Sequence, residues 1–148
     1  MSWVVSEFGD KLLTKEGLKS TSDVLAGKKL IGIYFSAHWC PPCRGFTPIL
    51  ADFYNQLKVE HGDDVEFIFV SADRNLEAFR EYFESMPFLA LPYENREVNT
   101  KLASKYSISG IPTLIIVDTT GRVVDASGRT TVSRNTGNVR SALSKWYG

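Results

Sequence analysis

The 148-residue sequence is poor in cysteine and histidine and has no long apolar run. It contains two cysteines, Cys40 and Cys43, and two histidines. A small secreted domain that depends on disulfides carries more cysteines, spread along the chain. No segment approaches the ~18 consecutive apolar residues of a transmembrane helix. The sequence therefore argues against a disulfide scaffold and against a membrane-spanning protein.

The sequence also has a net charge of zero. The 17 Lys and Arg residues balance 17 Asp and Glu residues, which argues against nucleic-acid or anionic-membrane partners bound by bulk electrostatics. Residues 1–7 lack the basic start and apolar run of a signal peptide. We therefore expect a cytoplasmic, monomeric protein with no nucleic-acid or membrane partner.

The apolar pattern predicts an α/β fold in a single domain over residues 1–148. A nearly continuous apolar run at 30–35 predicts a strand buried on both faces, and residues 65–71 predict a second buried strand. A turn at 15–17 predicts an N-terminal β-hairpin. The other predicted elements are helices over 46–57 (with a kink at Pro48), 75–85, 98–106 and 139–146, and strands over 112–118 and 122–124. This order implies a central mixed sheet flanked by helices on both faces.

The chemistry-bearing motif is Trp39-Cys40-Pro41-Pro42-Cys43-Arg44, between a predicted strand and a helix start. A spacing of three on the first helical turn brings the two sulfurs within bonding distance, and so small a ring is easily reduced. If Cys40 is the N-cap, its sulfur accepts from the Cys43 N–H, and the helix dipole favours a thiolate. Cys40 is then the nucleophile and Cys43 the resolving thiol.

The cysteine pair has two other interpretations. The cysteines could be inert and buried, or they could belong to a metal site. A structural zinc site needs four ligands, whereas His38, Cys40 and Cys43 offer three and His61 is remote in sequence. Redox chemistry is favoured over both alternatives, and we expect neither a metal nor a bound cofactor.

Four blocks of sequence resemble the tryparedoxin/nucleoredoxin branch of the thioredoxin superfamily. Cys-Pro-Pro-Cys alone is shared with other thioredoxin relatives, but four blocks in order and at family spacing are more specific. The resemblance spans about residues 25–130. The blocks are Tyr34–Arg44, Phe69–Asp73, Met86–Tyr93 and Gly110–Ile115.

The resemblance implies a thioredoxin fold in which Pro112 is cis and faces the cysteine pair. The backbone of Ile111 would then be free to pair with an extended substrate. Trp39, Pro41, Ile111 and Pro112 would form an apolar platform around Cys40 for a protein disulfide. The alternative for Ile111 and Pro112 is an ordinary entrance to a strand.

Some positions depart from the wider family or carry a second interpretation. Tyr34 stands where bacterial-type thioredoxins have a buried acid, so Asp73 is the candidate proton acceptor for Cys43, with Tyr34 as a possible partner in the relay. Asp73 could equally be the N-cap of the helix at 75–85. Arg129 matches a tryparedoxin arginine that would orient polar substrate, or it is a solvated surface residue. The segment 136–147 replaces the Phe-Pro-Trp tail of the branch, which leaves the subfamily open.

The leading functional prediction is an enzyme that reduces protein or low-molecular-weight disulfides by dithiol exchange. Its electrons would come from glutathione, trypanothione or a thioredoxin-reductase-like flavoprotein. A redox-regulated binding module of nucleoredoxin type is the alternative, and turnover of insulin disulfides separates the two. A disulfide-forming oxidase is disfavoured by the missing signal peptide.

Overall fold

A computed structural model describes residues 3–148. Met1 and Ser2 belong to the segment 1–7, which lacks the features of a signal peptide, and they lie outside the described residues. Seven strands of the described chain form one sheet in the order β2-β1-β5-β4-β3-β6-β7. The strands are β1 (Lys11–Thr14), β2 (Gly17–Ser20), β3 (Leu30–Ser36), β4 (Val65–Ser71), β5 (Leu89–Ala90), β6 (Thr113–Val117) and β7 (Val123–Asp125).

Helices cover both faces of this sheet, as the sequence predicts. They are α1 (Trp3–Phe8), α2 (Thr21–Val24), α3 (Pro41–His61), α4 (Leu76–Glu84), α5 (Arg96–Lys105), α6 (Gly128–Arg134) and α7 (Val139–Tyr147). Within residues 3–148, no helix has both the length and the apolar character needed to cross a bilayer.

The two strands predicted to be buried form the centre of the sheet. β3 pairs in parallel with β4, from Leu30 opposite Val65 to Ser36 opposite Ser71, and pairs antiparallel with β6. The sheet is therefore mixed, as predicted. Every residue of β3 and β4 is buried because helices cover both of their faces.

Alternate residues of the central strands supply two separate cores. On one face, Tyr34, Phe67 and Phe69 pack with side chains of α3, α4, α6 and α7. On the other face, Ile33 and Ile68 pack with side chains of α1 and α5. This alternation is the two-residue period of a strand, and it assigns each strand residue to one core.

The N-terminal hairpin agrees with the prediction, and α3 contains the predicted helix 46–57 and extends beyond it at both ends. β1 pairs with β2 across a turn at 15–16, and β1 also joins β5, so the hairpin extends the sheet. α3 continues without interruption past Pro48 and ends before Gly62, whose φ of 64° favours glycine.

Four short elements were absent from the predicted order: α1, α2, β5 and α6. β5 has two residues and α2 has four, so neither is long enough to show a period. α6 carries the β-branched run Thr130-Thr131-Val132, which lowers helix propensity, but Thr131 and Val132 are buried and packing decides the outcome. The predicted apolar stretch 86–93 contains β5.

Candidate active site

The two cysteines lie at the N-terminus of α3, just after β3. The Cys40 sulfur is the N-cap and accepts from the Cys43 backbone N–H at 3.3 Å, as the motif predicts. Pro41 and Pro42 occupy the first helical positions, where a backbone N–H would have no intrahelical partner. Both cysteines are free thiols, and the Cys40 thiol donates to the carbonyl oxygen of Ile111 at 3.8 Å.

The two sulfurs differ in their surroundings. Cys40 keeps 5% of its surface exposed, whereas Cys43 has none. Burial, followed by the hydrogen bond with Cys40, raises the pKa of Cys43 from 9.0 to about 11. Hydrogen bonds from the Ser36 hydroxyl and the Ala37 backbone act in the opposite direction and hold this pKa lower than burial alone would.

Trp39 forms the exposed rim of the site. Its side chain is 48% exposed, and its indole N–H donates to the carbonyl oxygen of Ala72 at 3.0 Å. The Arg74 guanidinium lies 5.1 Å from the centroid of the Trp39 ring, a cation–π arrangement. A large aromatic ring is thus held at the surface beside Cys40.

Of the remaining platform residues, Ile111 contacts the cysteines. Pro41 is exposed and follows Cys40 directly, and Ile111 is half-buried and packs against the cluster formed by Ala37, Cys40 and Cys43. Pro112 is buried, and the Ile111–Pro112 peptide bond is cis, as the resemblance implies. The structure therefore places Ile111 at the cysteine pair, while the role of all four platform residues in substrate binding stays a prediction.

Asp73 lies behind the site and joins two loops. Its carboxylate accepts from the His38 backbone N–H and from the Ser71 hydroxyl, each at 2.7 Å. The alternative N-cap assignment is wrong, because Asn75 caps α4 by accepting from the Ala78 N–H at 2.8 Å. Among residues 3–148, no hydrogen bond joins Asp73 to either sulfur, and its role as proton acceptor stays a prediction.

Tyr34 is the end of a buried chain of hydroxyl groups. Its hydroxyl lies 2.6 Å from that of Thr47, which lies 2.6 Å from that of Tyr82, which lies 2.8 Å from that of Ser36. Sequence reasoning missed Ser36 and Thr47 and interpreted Tyr82 only as part of a helix face. The four groups come from β3, α3 and α4, and no local spacing connects them.

A cavity of about 630 Å³ lies next to this chain. Its lining includes Thr47, Tyr82, Met86 and His38, and the His38 ring is stacked on the Tyr82 ring with centroids 5.1 Å apart. The structure thus places His38 over the hydroxyl chain.

Arg129 is exposed on α6, the helix that follows the β6–β7 hairpin. Its guanidinium lies 6.0 Å from the ring centroid of Phe46, one helical turn beyond Cys43 on α3. A Cβ at Gly128 would lie 2.7 Å from the backbone oxygen of Leu114, so glycine there lets α6 approach β6 closely. Arg129 is thereby placed on the α3 side of the site.

Between residues 3 and 148, no group of three or more His, Cys, Asp or Glu side chains is arranged to hold an ion.

A family model described as thioredoxin-like matches residues 27–123. The chain belongs to the thioredoxin-like family. Mouse nucleoredoxin is 47% identical over 121 residues, which are 82% of this chain and 27% of that protein. Tryparedoxin of Trypanosoma brucei brucei is 40% identical over 122 residues, which are 82% of this chain and 82% of that protein. The chain thus spans about a quarter of the length of the nucleoredoxins it matches.

Solved tryparedoxin structures confirm the thioredoxin fold. Tryparedoxin II from C. fasciculata superposes with a TM-score of 0.83 at 35% identity, covering 90% of this chain and 88% of that one. A tryparedoxin II complexed with glutathionylspermidine has a TM-score of 0.79 at 35% identity, over 85% and 86% of the two chains. The family model and the solved structures agree on the thioredoxin fold of this chain.

Proposed function

We propose that this chain reduces disulfides by dithiol exchange, with Cys40 as nucleophile and Cys43 as resolving thiol. The observation that carries the proposal is the position of the Cys40 sulfur. It caps α3, accepts the Cys43 N–H at 3.3 Å and lies beside the exposed Trp39. A helix N-terminus stabilises negative charge on the attacking sulfur.

The proposed cycle has two exchanges. The Cys40 thiolate attacks one sulfur of the substrate disulfide, a mixed disulfide forms, and the first substrate sulfur leaves as a thiolate that takes a proton. The Cys43 thiolate then attacks the Cys40 sulfur, which forms the Cys40–Cys43 disulfide and releases the second substrate thiol. Two electrons have passed from the dithiol to the substrate, and an external thiol or flavoprotein restores them.

The substrate would dock on the platform formed by Trp39, Pro41, Ile111 and Pro112. This proposal is supported by the exposed indole and by the Ile111 carbonyl, which already faces the Cys40 sulfur at 3.8 Å. An extended peptide could exchange hydrogen bonds with the Ile111 backbone, and its apolar side chains could cover Trp39. Arg129 would contact polar or anionic parts of a substrate from the α3 side.

The proposal also includes an electron donor that reduces the Cys40–Cys43 disulfide. Tryparedoxin II has been solved with glutathionylspermidine, which supports a low-molecular-weight thiol such as glutathione or trypanothione as one candidate. A thioredoxin-reductase-like flavoprotein is the other. We propose a cytoplasmic location, because a single Cys-x-x-Cys pair is typical of proteins in reducing compartments. We also propose that the protein is a monomer.

Insulin reduction tests the enzyme directly. The wild-type protein is assayed with insulin and each donor in turn, beside Cys40→Ser and Cys43→Ser. We expect turnover with at least one donor, none with Cys40→Ser, and a trapped Cys40 adduct with Cys43→Ser that mass spectrometry detects. If the wild-type protein turns over with none of the donors, the result would instead favour a redox-regulated binding module. The similarity to nucleoredoxin, which covers 27% of that protein, is compatible with such a module.

A further inference from the structure

A groove beside Trp39 extends the site past the proposed docking platform. It measures about 270 Å³, and its lining includes Trp39, Arg44 and Arg74. The groove shares Trp39 with the platform, whereas the other three platform residues do not line it. A substrate that places its disulfide at Cys40 and covers the Trp39 ring therefore brings the residues next to its disulfide to this groove.

Two arginines give the groove a positive charge. The Arg74 guanidinium lies 5.1 Å from the centroid of the Trp39 ring, and Arg44 follows Cys43 on α3. Both arginines are exposed, and within residues 3–148 neither of them forms an ion pair. A guanidinium stays protonated at every working pH and can bind a carboxylate in a bidentate manner. Both positive charges are thus available to a carboxylate of a partner.

The acidic residues near the groove leave this positive charge in place. Asp73 lines the groove but is only 4% exposed. One of its carboxylate oxygens accepts from the His38 backbone N–H and the other from the Ser71 hydroxyl, each at 2.7 Å. Glu77 lies in the first turn of α4 and does not line the groove. The exposed charge of the groove is therefore that of the two arginines.

The groove adjoins the cavity of about 630 Å³ beside the hydroxyl chain. His38 and Arg44 line both, so these two residues mark where groove and cavity meet. Beyond them the lining becomes acidic, because Asp52 and Glu84 belong to the cavity. A negative group is therefore favoured in the groove and disfavoured in the cavity. Groove and cavity together give room for several residues, which suits a peptide better than a small disulfide.

We propose that Arg74 and Arg44 bind the carboxylate of an Asp or Glu residue next to the disulfide of a protein substrate, an inference that rests on the proposed function. Arg74 makes the larger contribution, because its guanidinium is already placed over the ring that the substrate covers. Arg129 lies elsewhere, with its guanidinium 6.0 Å from the ring centroid of Phe46. The protein thus selects among disulfides by the charge of their flanking residues.

Three synthetic peptides test this charge preference. Each contains the same intramolecular disulfide, and the residues that flank its cysteines are Asp in one peptide, Asn in the second and Lys in the third. The rate constant for reduction of each peptide by the reduced protein is measured by quenched flow and chromatography. It is divided by the rate constant for dithiothreitol at the same pH and salt concentration. This ratio removes the effect that flanking charge has on attack by any thiolate.

We expect the ratio for the Asp peptide to exceed that for the Lys peptide by about fivefold at low salt, as exposed ion pairs allow. The Asn peptide should lie between them, and about 0.5 M salt should reduce the preference to less than about twofold by screening. Arg74→Glu should reverse the preference, because it exchanges the cation for an anion. Arg74→Lys should keep most of the preference, and Arg44→Gln should weaken it.

Arg80→Glu is the matched control, because Arg80 is exposed on α4 and does not line the groove. The proposal is refuted if Arg74→Glu keeps the wild-type preference, or if Arg80→Glu changes the preference as much as Arg74→Glu does. A preference for Asp that survives Arg74→Glu and Arg44→Gln together would assign the carboxylate to Arg129 instead. Equal ratios for all three peptides with the wild-type protein refute the preference alone, whereas reduction of none of them refutes the proposed function.

Discussion

The two cysteines are three positions apart, but they face different parts of the molecule. Cys40 borders an exposed rim of apolar and cationic side chains, with Trp39 and Arg74 beside it. Cys43 is fully buried and packs with Ala37 and Cys40. One helical turn thus separates a sulfur placed for encounter with a partner from a sulfur protected from it. This difference in surroundings suggests why Cys40 attacks the substrate and Cys43 reacts only in the second exchange.

The largest expected effect is on thiol reactivity. A pKa of about 11 instead of 9.0 lowers the thiolate fraction of Cys43 about hundredfold at neutral pH. We expect iodoacetamide to modify Cys40 first, and Cys43 at least about a hundredfold more slowly than a free thiol. Because the thiolate reacts, the Cys43 rate should rise about tenfold per pH unit until pH approaches about 11.

Peptide mapping by mass spectrometry measures both rates, and the denatured protein is the control, where the two cysteines should react alike. Faster alkylation of Cys43 than of Cys40 in the folded, reduced protein would reverse the assignment of nucleophile and resolving thiol.

The exposed rim is tested next, by Trp39→Ala. If the indole docks protein substrates, kcat/KM for insulin should fall about tenfold, the result of losing one buried aromatic contact of about 1.4 kcal/mol. A small aromatic disulfide, which needs less contact area, should lose about twofold or less. Tyr147→Ala is the control, because Tyr147 is 49% exposed, close to the 48% of Trp39, but lies on α7. Equal losses on both substrates would leave Trp39 with a packing role only.

Arg129→Ala should have a smaller effect. Arg129 is exposed, so loss of its contact with an anionic substrate should raise KM about threefold at low salt and less at high salt. The assay compares glutathione disulfide, which is anionic, with a neutral disulfide. Arg140→Ala on α7 removes the same charge elsewhere and should change neither KM. An identical response of Arg129→Ala and Arg140→Ala would make Arg129 an ordinary surface arginine.

The smallest effect concerns the fold itself. Oxidation closes a ring so short that it should stabilise the protein by about 2 kcal/mol or less. Far-UV circular dichroism of the reduced and oxidised forms should therefore coincide, with melting temperatures within about 8 °C. Loss of the spectrum on reduction would give the cysteines a structural role and remove the contrast between them.

The sequence was sufficient to predict the elements whose residue pattern is long and local. β3 and β4 are rich in apolar residues and lie at the centre of the sheet, and α3 has a clear helical period with a capping cysteine before two prolines. It was insufficient where tertiary packing decides. β5 and α2 are too short for a period, and α6 forms against its local propensity because Thr131 and Val132 are buried.

The candidate site divides in the same way. The motif itself identifies Cys40, Cys43 and Trp39, because the residue types and spacing carry the chemistry. The hydroxyl chain joins residues up to 46 positions apart, and a buried tyrosine on an apolar helix face looks like any other core aromatic. Asp73 and Asn75 are both suitable caps, and only the three-dimensional path of the loop assigns that role to Asn75.

The hydrogen bond from the Trp39 indole to Ala72 has a consequence for the entropy of association. An exposed side chain that moves among rotamers loses that freedom when a partner covers it, at a cost of about 0.5–1.5 kcal/mol. The Trp39 ring is held by the Ala72 carbonyl on its N–H and by Arg74 over its face, so part of this ordering has already occurred on folding. An arriving disulfide would meet a surface whose orientation is already set.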